Sequence, residues 1–444
     1  MRLAIGDWRF TSGALLVALM AMGASAFGQA TNAASPIDLA TALRLAGAQN
    51  LDAQIAREQA KEARAQHEQA RLQFFPWIAL GVGYRRHEGN IQDVTGNIIE
   101  TDKQSYTVGG AVNAQLDLGE AIYKSLATKQ LAKAAEEGAE AQRQEAVFNA
   151  AAGYFELARA AAGVAAAGEA VRIAEDYAGQ VAGAAEAGIA FKGDVYRAQV
   201  QAEKNRMLLR QAQEQQRIAA ARLAEVLRLP PATELVPEEV ELAPVHLVET
   251  NAALGSLVAR ALAARPELRR SGFIAKSARA ARQGTTVGPL IPTLGAQVYS
   301  GGLGGGIDSD TGNFDDTQDY FVGLSWRIGP GGLFDRSRTR AASAREQTAL
   351  FESEKARQEV ERQVVEAQTR VQSLGDQLTM AQRALTAAER VLGLCRERKE
   401  FGAGVVLETI QAEQELTRAR LDYLKTIAEF NVVQYRLLRA TGGL

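Results

Sequence analysis

The chain has 444 residues, of which 47% are hydrophobic and 23% charged, so it can bury a sizeable core and is not compositionally disordered. Its 50 Lys and Arg residues against 52 Asp and Glu residues give a net charge of -2, which argues against nucleic acid as a partner. One cysteine and three histidines are too few for a disulfide framework or a metal cage, and we predict no metal site and no cofactor.

Residues 1–26 have the pattern of a secretory signal peptide. Arg2 and Arg9 precede an apolar stretch at 14–22, and a small-residue run ends at Ala26. The apolar stretch is too short for a membrane anchor, because crossing a bilayer as a helix takes about 20 residues. No later segment is long and apolar enough for such a helix. The sequence therefore predicts an exported chain that can enter a membrane only as a barrel.

Landmarks recur along the chain at a nearly constant offset. Pro76 returns as Pro292, an offset of 216 residues (292 − 76), and Tyr106 returns as Tyr320, an offset of 214 (320 − 106). Such self-similarity predicts a tandem duplication. We predict a first repeat, a proline-punctuated connector and a second repeat at 27–229, 230–252 and 253–444.

Each repeat reads as a helix, two strands, a very long helix, a tight turn and a final helix. In the first repeat a helix is predicted over 37–72, and it stops before Pro76 because proline disfavours helix at the residue before it. Two segments in which apolar and polar residues alternate follow at 76–86 and 105–118, as expected of strands with one apolar face. The second repeat has corresponding strands at 292–300 and 319–328, and polar, glycine-rich loops are predicted at 87–104 and 301–318.

Four strands alone do not make a closed sheet. A soluble β-sandwich would also give alternating strands, but strands of about 10 residues in an exported chain match tilted membrane-spanning strands. Closing a barrel takes about eight strands or more. The chain must therefore pool strands with copies of itself, and three copies would give twelve.

Long helices connect the strands to the tight turns. The segments 119–187 and 333–401 contain no proline, are rich in Ala, Glu, Arg and Gln, and reach roughly 100 Å at 1.5 Å per residue if unbroken. Helices of that length must pack along their sides as coiled coils. A closed cylinder of helices meets this requirement, and so does an ordinary antiparallel coiled-coil bundle, which would leave the strands unexplained. The predicted fold is mainly α with membrane β. It is an internally duplicated, long α-helical barrel joined to a transmembrane β-barrel that trimerisation completes.

Several short segments, taken in order, are similar to those of one known family. They lie at 37–43, 50–52, 75–76, 265–268, 329–332, 401–402 and 438–442. Through them the chain resembles the TolC-like outer-membrane efflux protein family across essentially the whole mature sequence. The resemblance implies a homotrimer in contact with outer-membrane lipid of a Gram-negative bacterium, with a helical barrel across the periplasm. It also implies a periplasmic adaptor protein and an inner-membrane pump as partners.

The function implied by the resemblance is the exit duct of a tripartite efflux pump or a type I secretion system. The alternative is a periplasmic coiled-coil adaptor or structural protein, which would be soluble without detergent. No nucleophile elbow, phosphate loop or metal-binding helix motif occurs in the sequence. We therefore predict no catalytic residues and no enzyme.

The resemblance further implies a gate at the periplasmic tips of the helix hairpins, with turns near 188 and 402. Glycine suits such turns because it tolerates a left-handed backbone. Family members often carry acidic residues on the last hairpin, matched by Glu408 but not, one turn on, by Gln411. Lys399 and Gly404 stand where the family archetype has tyrosine and arginine, so its closing contacts do not carry over intact. The candidate gate residues are Gly188, Asp194, Lys399, Gly402, Gly404, Glu408 and Gln411.

Overall fold

The computed structural model describes residues 35–239, 241–249, 252–308, 310–400 and 405–444. The predicted signal peptide at 1–26 lies outside the described residues. Within them the chain forms eight α-helices and six β-strands. The first half contains β1 Ser35–Ile37, α1 Leu39–Gln49, α2 Leu51–Leu72, β2 Trp77–Gln92, β3 Ile98–Asp117, α3 Leu118–Glu186, α4 Lys192–Val226 and β4 Leu235–Pro237. The second half contains α5 Leu254–Ala264, α6 Pro266–Thr286, β5 Thr293–Ile307, β6 Asp315–Ser325, α7 Arg336–Glu400 and α8 Val406–Ala440.

The prediction of one unbroken helix over 37–72 is wrong. The chain breaks between α1 and α2 at Asn50, whose backbone is not helical. Its Oδ1 accepts hydrogen bonds from the N–H groups of Asp52 at 3.0 Å and Ala53 at 3.3 Å, which caps α2. The second repeat breaks at the same place, between α5 and α6, where Pro266 is the first residue of α6.

Four strands form one antiparallel sheet in the order β2-β3-β5-β6, so β2 and β6 each have a free edge. The strands are longer than the predicted segments. Gln92 of β2 pairs with Ile98 of β3, so the first loop contains only the residues between these two and not the predicted 87–104. The second connection lies between Ile307 and Asp315 instead of 301–318. Backbone pairing continues into these polar ribbons because it does not require an apolar face, and alternation alone therefore underestimates strand length.

One face of this sheet is apolar and exposed. Leu80, Val82 and Val322 point to that face and are 83%, 81% and 77% exposed. In register with them, Val108 pairs with Val82, and Val298 pairs with Tyr320. Contiguous exposed apolar surface of this extent marks contact with another apolar phase or partner. The opposite face carries mostly small and polar residues, together with the aromatic side chains of Trp77 and Phe321.

The long helices form two hairpins. α3 has 69 residues and is therefore about 100 Å long. We define the first hairpin as α3 with α4 and the second hairpin as α7 with α8. Helix α8 packs against both α7 and α3. No described helix contains a stretch long and apolar enough to cross a lipid bilayer.

The core lies where the connector meets the long helices. One buried cluster joins α1, α3, α4 and the parallel pair β1-β4, and a second joins α5, α7 and α8. Asn431 and Gln434 on α8 are fully buried, and their side-chain oxygens accept from the N–H groups of Val245 at 2.7 Å and Val248 at 3.1 Å. These amides replace hydrogen bonds that an irregular connector cannot make with itself.

Candidate functional site

The first hairpin ends in a tight turn at 187–191. Gly188 lies in this turn with a φ of +77°, a left-handed conformation that glycine adopts without steric cost. The Ile189 N–H donates to the Ala184 carbonyl oxygen at 2.8 Å and closes the end of α3. Gly188 therefore sets the geometry of the turn.

Asp194 lies in the first turn of α4, just after this turn. Its Oδ1 accepts a hydrogen bond from Arg197 Nη1 at 2.9 Å, and its side chain is 22% exposed. The carboxylate also lies where the helix dipole favours negative charge. Sequence reasoning did not single out Arg197, although its spacing of three residues from Asp194 is the signal for such a pair.

The second hairpin turns between Glu400, the last residue of α7, and Val406, the first of α8. The candidate glycines Gly402 and Gly404 lie outside the described residues. Lys399 belongs to α7, and its side chain also lies outside the described residues. The gate roles of these three residues therefore stay predictions.

Glu408 lies in the first turn of α8 and forms an ion pair across the second hairpin. Its Oε2 accepts from Arg398 Nη1 at 3.2 Å, and the side chains are 43% and 58% exposed. Gln411 is exposed one turn further along. Solvent weakens an ion pair of this exposure. Arg398 had no sequence signal, because ten residues and a turn separate it from Glu408.

The two hairpin tips lie at the same end of the protein and touch each other. Tyr177, Val181 and Ala198 of the first hairpin form a buried cluster with Ile410 of the second hairpin. The Tyr177 hydroxyl donates to the Val406 carbonyl oxygen at 3.5 Å. Burial raises the pKa of this tyrosine, which stays neutral at physiological pH. Gly188 and Glu408 are thus brought to one end of the molecule.

Above this cluster, side-chain amides link the two hairpins in a chain of hydrogen bonds, in which Gln201 and Asn205 are buried and Gln414 is exposed. Gln414 Nε2 on α8 donates to Gln201 Oε1 on α4 at 2.5 Å, and Gln201 Nε2 donates to Asn205 Oδ1 at 3.0 Å. Asn205 Nδ2 then donates to the Ala170 carbonyl oxygen on α3 at 2.9 Å. We call this set the amide relay. Sequence reasoning missed it, because glutamine on a long helix carries no signal for burial.

Apolar side chains project into solvent from both tips. Ile189 and Phe191 of the first turn are 83% and 72% exposed, and Val405 of the second is 54% exposed. Aromatic and aliphatic residues clustered at an exposed end are typical of a protein-protein contact.

An exposed apolar sheet at one end and paired hairpins of this length define the protomer of a membrane-embedded duct.

Solved structures of similar architecture include outer-membrane channels. The chain has a TM-score of 0.80 and 16% identity to the CmeC outer-membrane channel of Campylobacter jejuni, covering 100% of this chain and 94% of that one. The outer-membrane protein VceC of Vibrio cholerae gives a TM-score of 0.75 at 18% identity, covering 91% of this chain and 96% of that one. The open state of the MtrE outer-membrane channel of Neisseria gonorrhoeae gives a TM-score of 0.74 at 19% identity, covering 91% of this chain and 89% of that one. A comparison of the sequence with curated proteins gives no match.

A family model described as outer membrane efflux protein matches residues 42–227 and 257–443, one segment in each repeat. The chain therefore belongs to the outer membrane efflux protein family. It is an outer-membrane channel subunit that forms an exit duct for efflux and reaches into the periplasm. The predicted fold class, function and localisation are confirmed, and the periplasmic adaptor alternative is set aside.

Proposed function

We propose that three copies of this chain form the exit duct of a tripartite efflux pump or a type I secretion system, exporting small molecules or proteins. The free edges of β2 and β6 carry this proposal. In lipid, each backbone group without a hydrogen bond costs several kcal/mol, so a sheet with an exposed apolar face must close on itself. Three copies supply twelve strands. We assign the duct no catalytic activity and no cofactor.

The duplication predicts how neighbouring copies pair. Inside the chain the two repeats meet where Val112 of β3 pairs with Val298 of β5. Aligning Pro76 with Pro292 makes Val298 equivalent to Val82 (298 − 216). Val82 pairs with Val108, and its equivalent Val298 pairs with Tyr320, so Tyr320 of β6 is the equivalent of Val108 of β3. The offset between β3 and β6 is therefore 212 residues (320 − 108), two fewer than the 214 obtained by aligning Tyr106 with Tyr320. Leu324 is then the equivalent of Val112 (112 + 212), and it should face Val82 of the partner subunit.

Disulfide trapping tests this arrangement. In a Cys395→Ser background, which removes the single native thiol, the pair Val82→Cys and Leu324→Cys should give covalent trimers on oxidation. Directly opposite residues bring their Cβ atoms within about 5.5 Å, which a disulfide can bridge. The control pair Gly81→Cys and Leu324→Cys places the thiols on opposite faces and should stay uncrosslinked. A water-soluble monomer with its sheet intact would contradict the proposal.

We further propose that the hairpin tips form the periplasmic gate, with three copies of Glu408 as a charged ring. Like charges at a constriction attract cations and repel one another. Glu408→Ala should therefore change single-channel conductance or block by multivalent cations in planar bilayers. Asp422→Ala is the matched control, since Asp422 is an exposed carboxylate on the same helix, about 21 Å from Glu408. Equal currents in both variants would remove the gate role of Glu408.

The exposed apolar tips support docking of a periplasmic adaptor that leads to an inner-membrane pump. A photo-crosslinking side chain placed at Ile189 in cells should form an adduct with a periplasmic adaptor protein. The same group at Val94, in the turn between β2 and β3 at the far end of the sheet, should form none. Equal adducts at both positions would contradict docking at the tips.

A further inference from the structure

A groove of about 680 Å³ runs along the first turns of the long helices, directly below the sheet. Helix α6 forms its floor, and α3 and α7 form its two walls. Most of its lining is apolar, with Tyr123 and Leu131 from α3, Ile274 and Ala278 from α6, and several alanines from α7. It lies at the opposite end of the hairpins from the gate.

The groove opens on the side of the sheet that faces the inside of the duct. It joins a smaller recess at Glu120 and Arg338, and that recess is also lined by Asp117, Thr293 and Ser325. Asp117 pairs with Thr293, and Thr293 pairs with Ser325, so all three belong to the polar face of the sheet.

The periodicity of α3 supports the same orientation. Lys124 lines the groove, whereas Ala151, further along the same helix, is fully buried against α1 and the connector. The 27 residues between them (151 − 124) make about seven and a half turns, so the two side chains point in opposite directions. The groove and the connector therefore occupy opposite sides of the wall.

The groove carries unpaired positive charge in its middle. Glu120 is held by Arg338 at 3.8 Å at the end nearest the sheet. Neither Lys124 nor Arg345 forms an ion pair with any carboxylate of the described residues. The remaining acid, Glu352, lies two turns beyond Arg345 on α7, about 10 Å away along the helix. Two cations thus face an apolar channel without an ion pair of their own, and Glu120, one turn before Lys124 on α3, is paired with Arg338.

We propose that this groove binds amphiphilic organic anions passing through the duct, an inference that rests on the proposed function. The anionic group would sit between Lys124 and Arg345, and the apolar body would lie along Leu131 and Ile274. Apolar walls with a few well-placed polar groups are the usual form of small-molecule sites. Two cations fix the orientation of the ligand and select its charge.

Binding is measured on the full-length trimer in lipid nanodiscs, after trimer size and single-channel conductance have been recorded for every variant. The probe is 8-anilinonaphthalene-1-sulfonate, and N-phenyl-1-naphthylamine serves as its neutral counterpart with the same ring system. We expect saturable sulfonate binding that the double variant Lys124→Gln and Arg345→Gln weakens about tenfold or more. Lys133→Gln, on the same helix but over the Phe273 ring outside the groove, should bind like the native chain.

The outcomes separate the two proposals. Loss of trimer or conductance in the native chain would overturn the proposed function. Normal channels whose sulfonate affinity is equal in the double variant and in Lys133→Gln would overturn the groove alone. A double variant that loses both probes equally would show apolar binding without charge selection, and a phospholipid that co-purifies in the groove and blocks the sulfonate would show a lipid site. Either result would also overturn the proposal.

Discussion

The amide relay allows a direct test of what holds the two hairpins together. Gln201→Leu keeps the side-chain volume but removes both hydrogen bonds of the central residue. Gln414 is exposed and can turn to water, whereas Asn205 is 6% exposed and its Oδ1 would lose its partner. An unsatisfied buried acceptor costs about 1–3 kcal/mol. Local opening of the tips should therefore become about 5- to 150-fold more frequent, since about 1.4 kcal/mol is a tenfold change.

Backbone hydrogen exchange measures this opening. Amides of α4 near 198–205 and of α8 near 406–416 should exchange faster in Gln201→Leu, while those near Leu437, in the second buried core cluster, should not change. Gln211→Leu is the matched control, because Gln211 lies on the same helix and is exposed. Equal exchange rates in the two variants would refute the view that the relay joins the hairpins.

Three further outcomes concern stability. Arg265 is 3% exposed and pairs with Glu267 at 2.9 Å, so Arg265→Met should cost about 3 kcal/mol in chemical unfolding, the low end for a broken buried pair because Glu267 is partly solvated. The Tyr154 hydroxyl is buried with no hydrogen-bond partner among the described residues, and burial raises its pKa to about 12; Tyr154→Phe should leave Tm unchanged or raise it. Hydrogen bonds from the backbone N–H groups of Arg338 and Gly331 lower the pKa of Asp335 to about 2. Because this folded pKa lies below the unfolded value of about 3.9, the stabilisation is present above about pH 4 and is lost as the pH falls toward 2, and acid unfolding of Asp335→Asn should lack that component.

Periodicity and duplication made most of the fold readable from the sequence. Alternation located the strands, and the absence of proline located α3 and α7, because both patterns follow from backbone geometry. The ends of these strands and helices could not be predicted as well from the sequence. Strands β2 and β5 extend beyond their apolar segments to Gln92 and Ile307. Asn50 divides the first predicted helix in two because it caps the N-terminus of α2. The longer strands depend on backbone pairing, and the break at Asn50 depends on two side-chain hydrogen bonds, so neither feature follows from a repeated apolar pattern.

The candidate site was only partly accessible to sequence reasoning. Gly188 and Asp194 could be named as gate candidates because the family resemblance places the gate at the hairpin turns, where glycine and first-turn carboxylates also have local signals. Arg398 and the amide relay could not, because each depends on which helix lies beside which. Gln201 and Gln414 are separated by more than 200 residues, and nothing in either neighbourhood marks the two side chains as hydrogen-bonded to each other.

The unbroken length of α3 gives the duct a mechanical property. A rod of about 100 Å that tilts by about 5° at its membrane end moves its far end by about 9 Å. A tilt of α3 that is too small to disturb the pairing of the sheet thus displaces the hairpin tip by a distance comparable to the diameter of a helix. In the proposed gate, such a tilt would change the aperture without any segment unfolding.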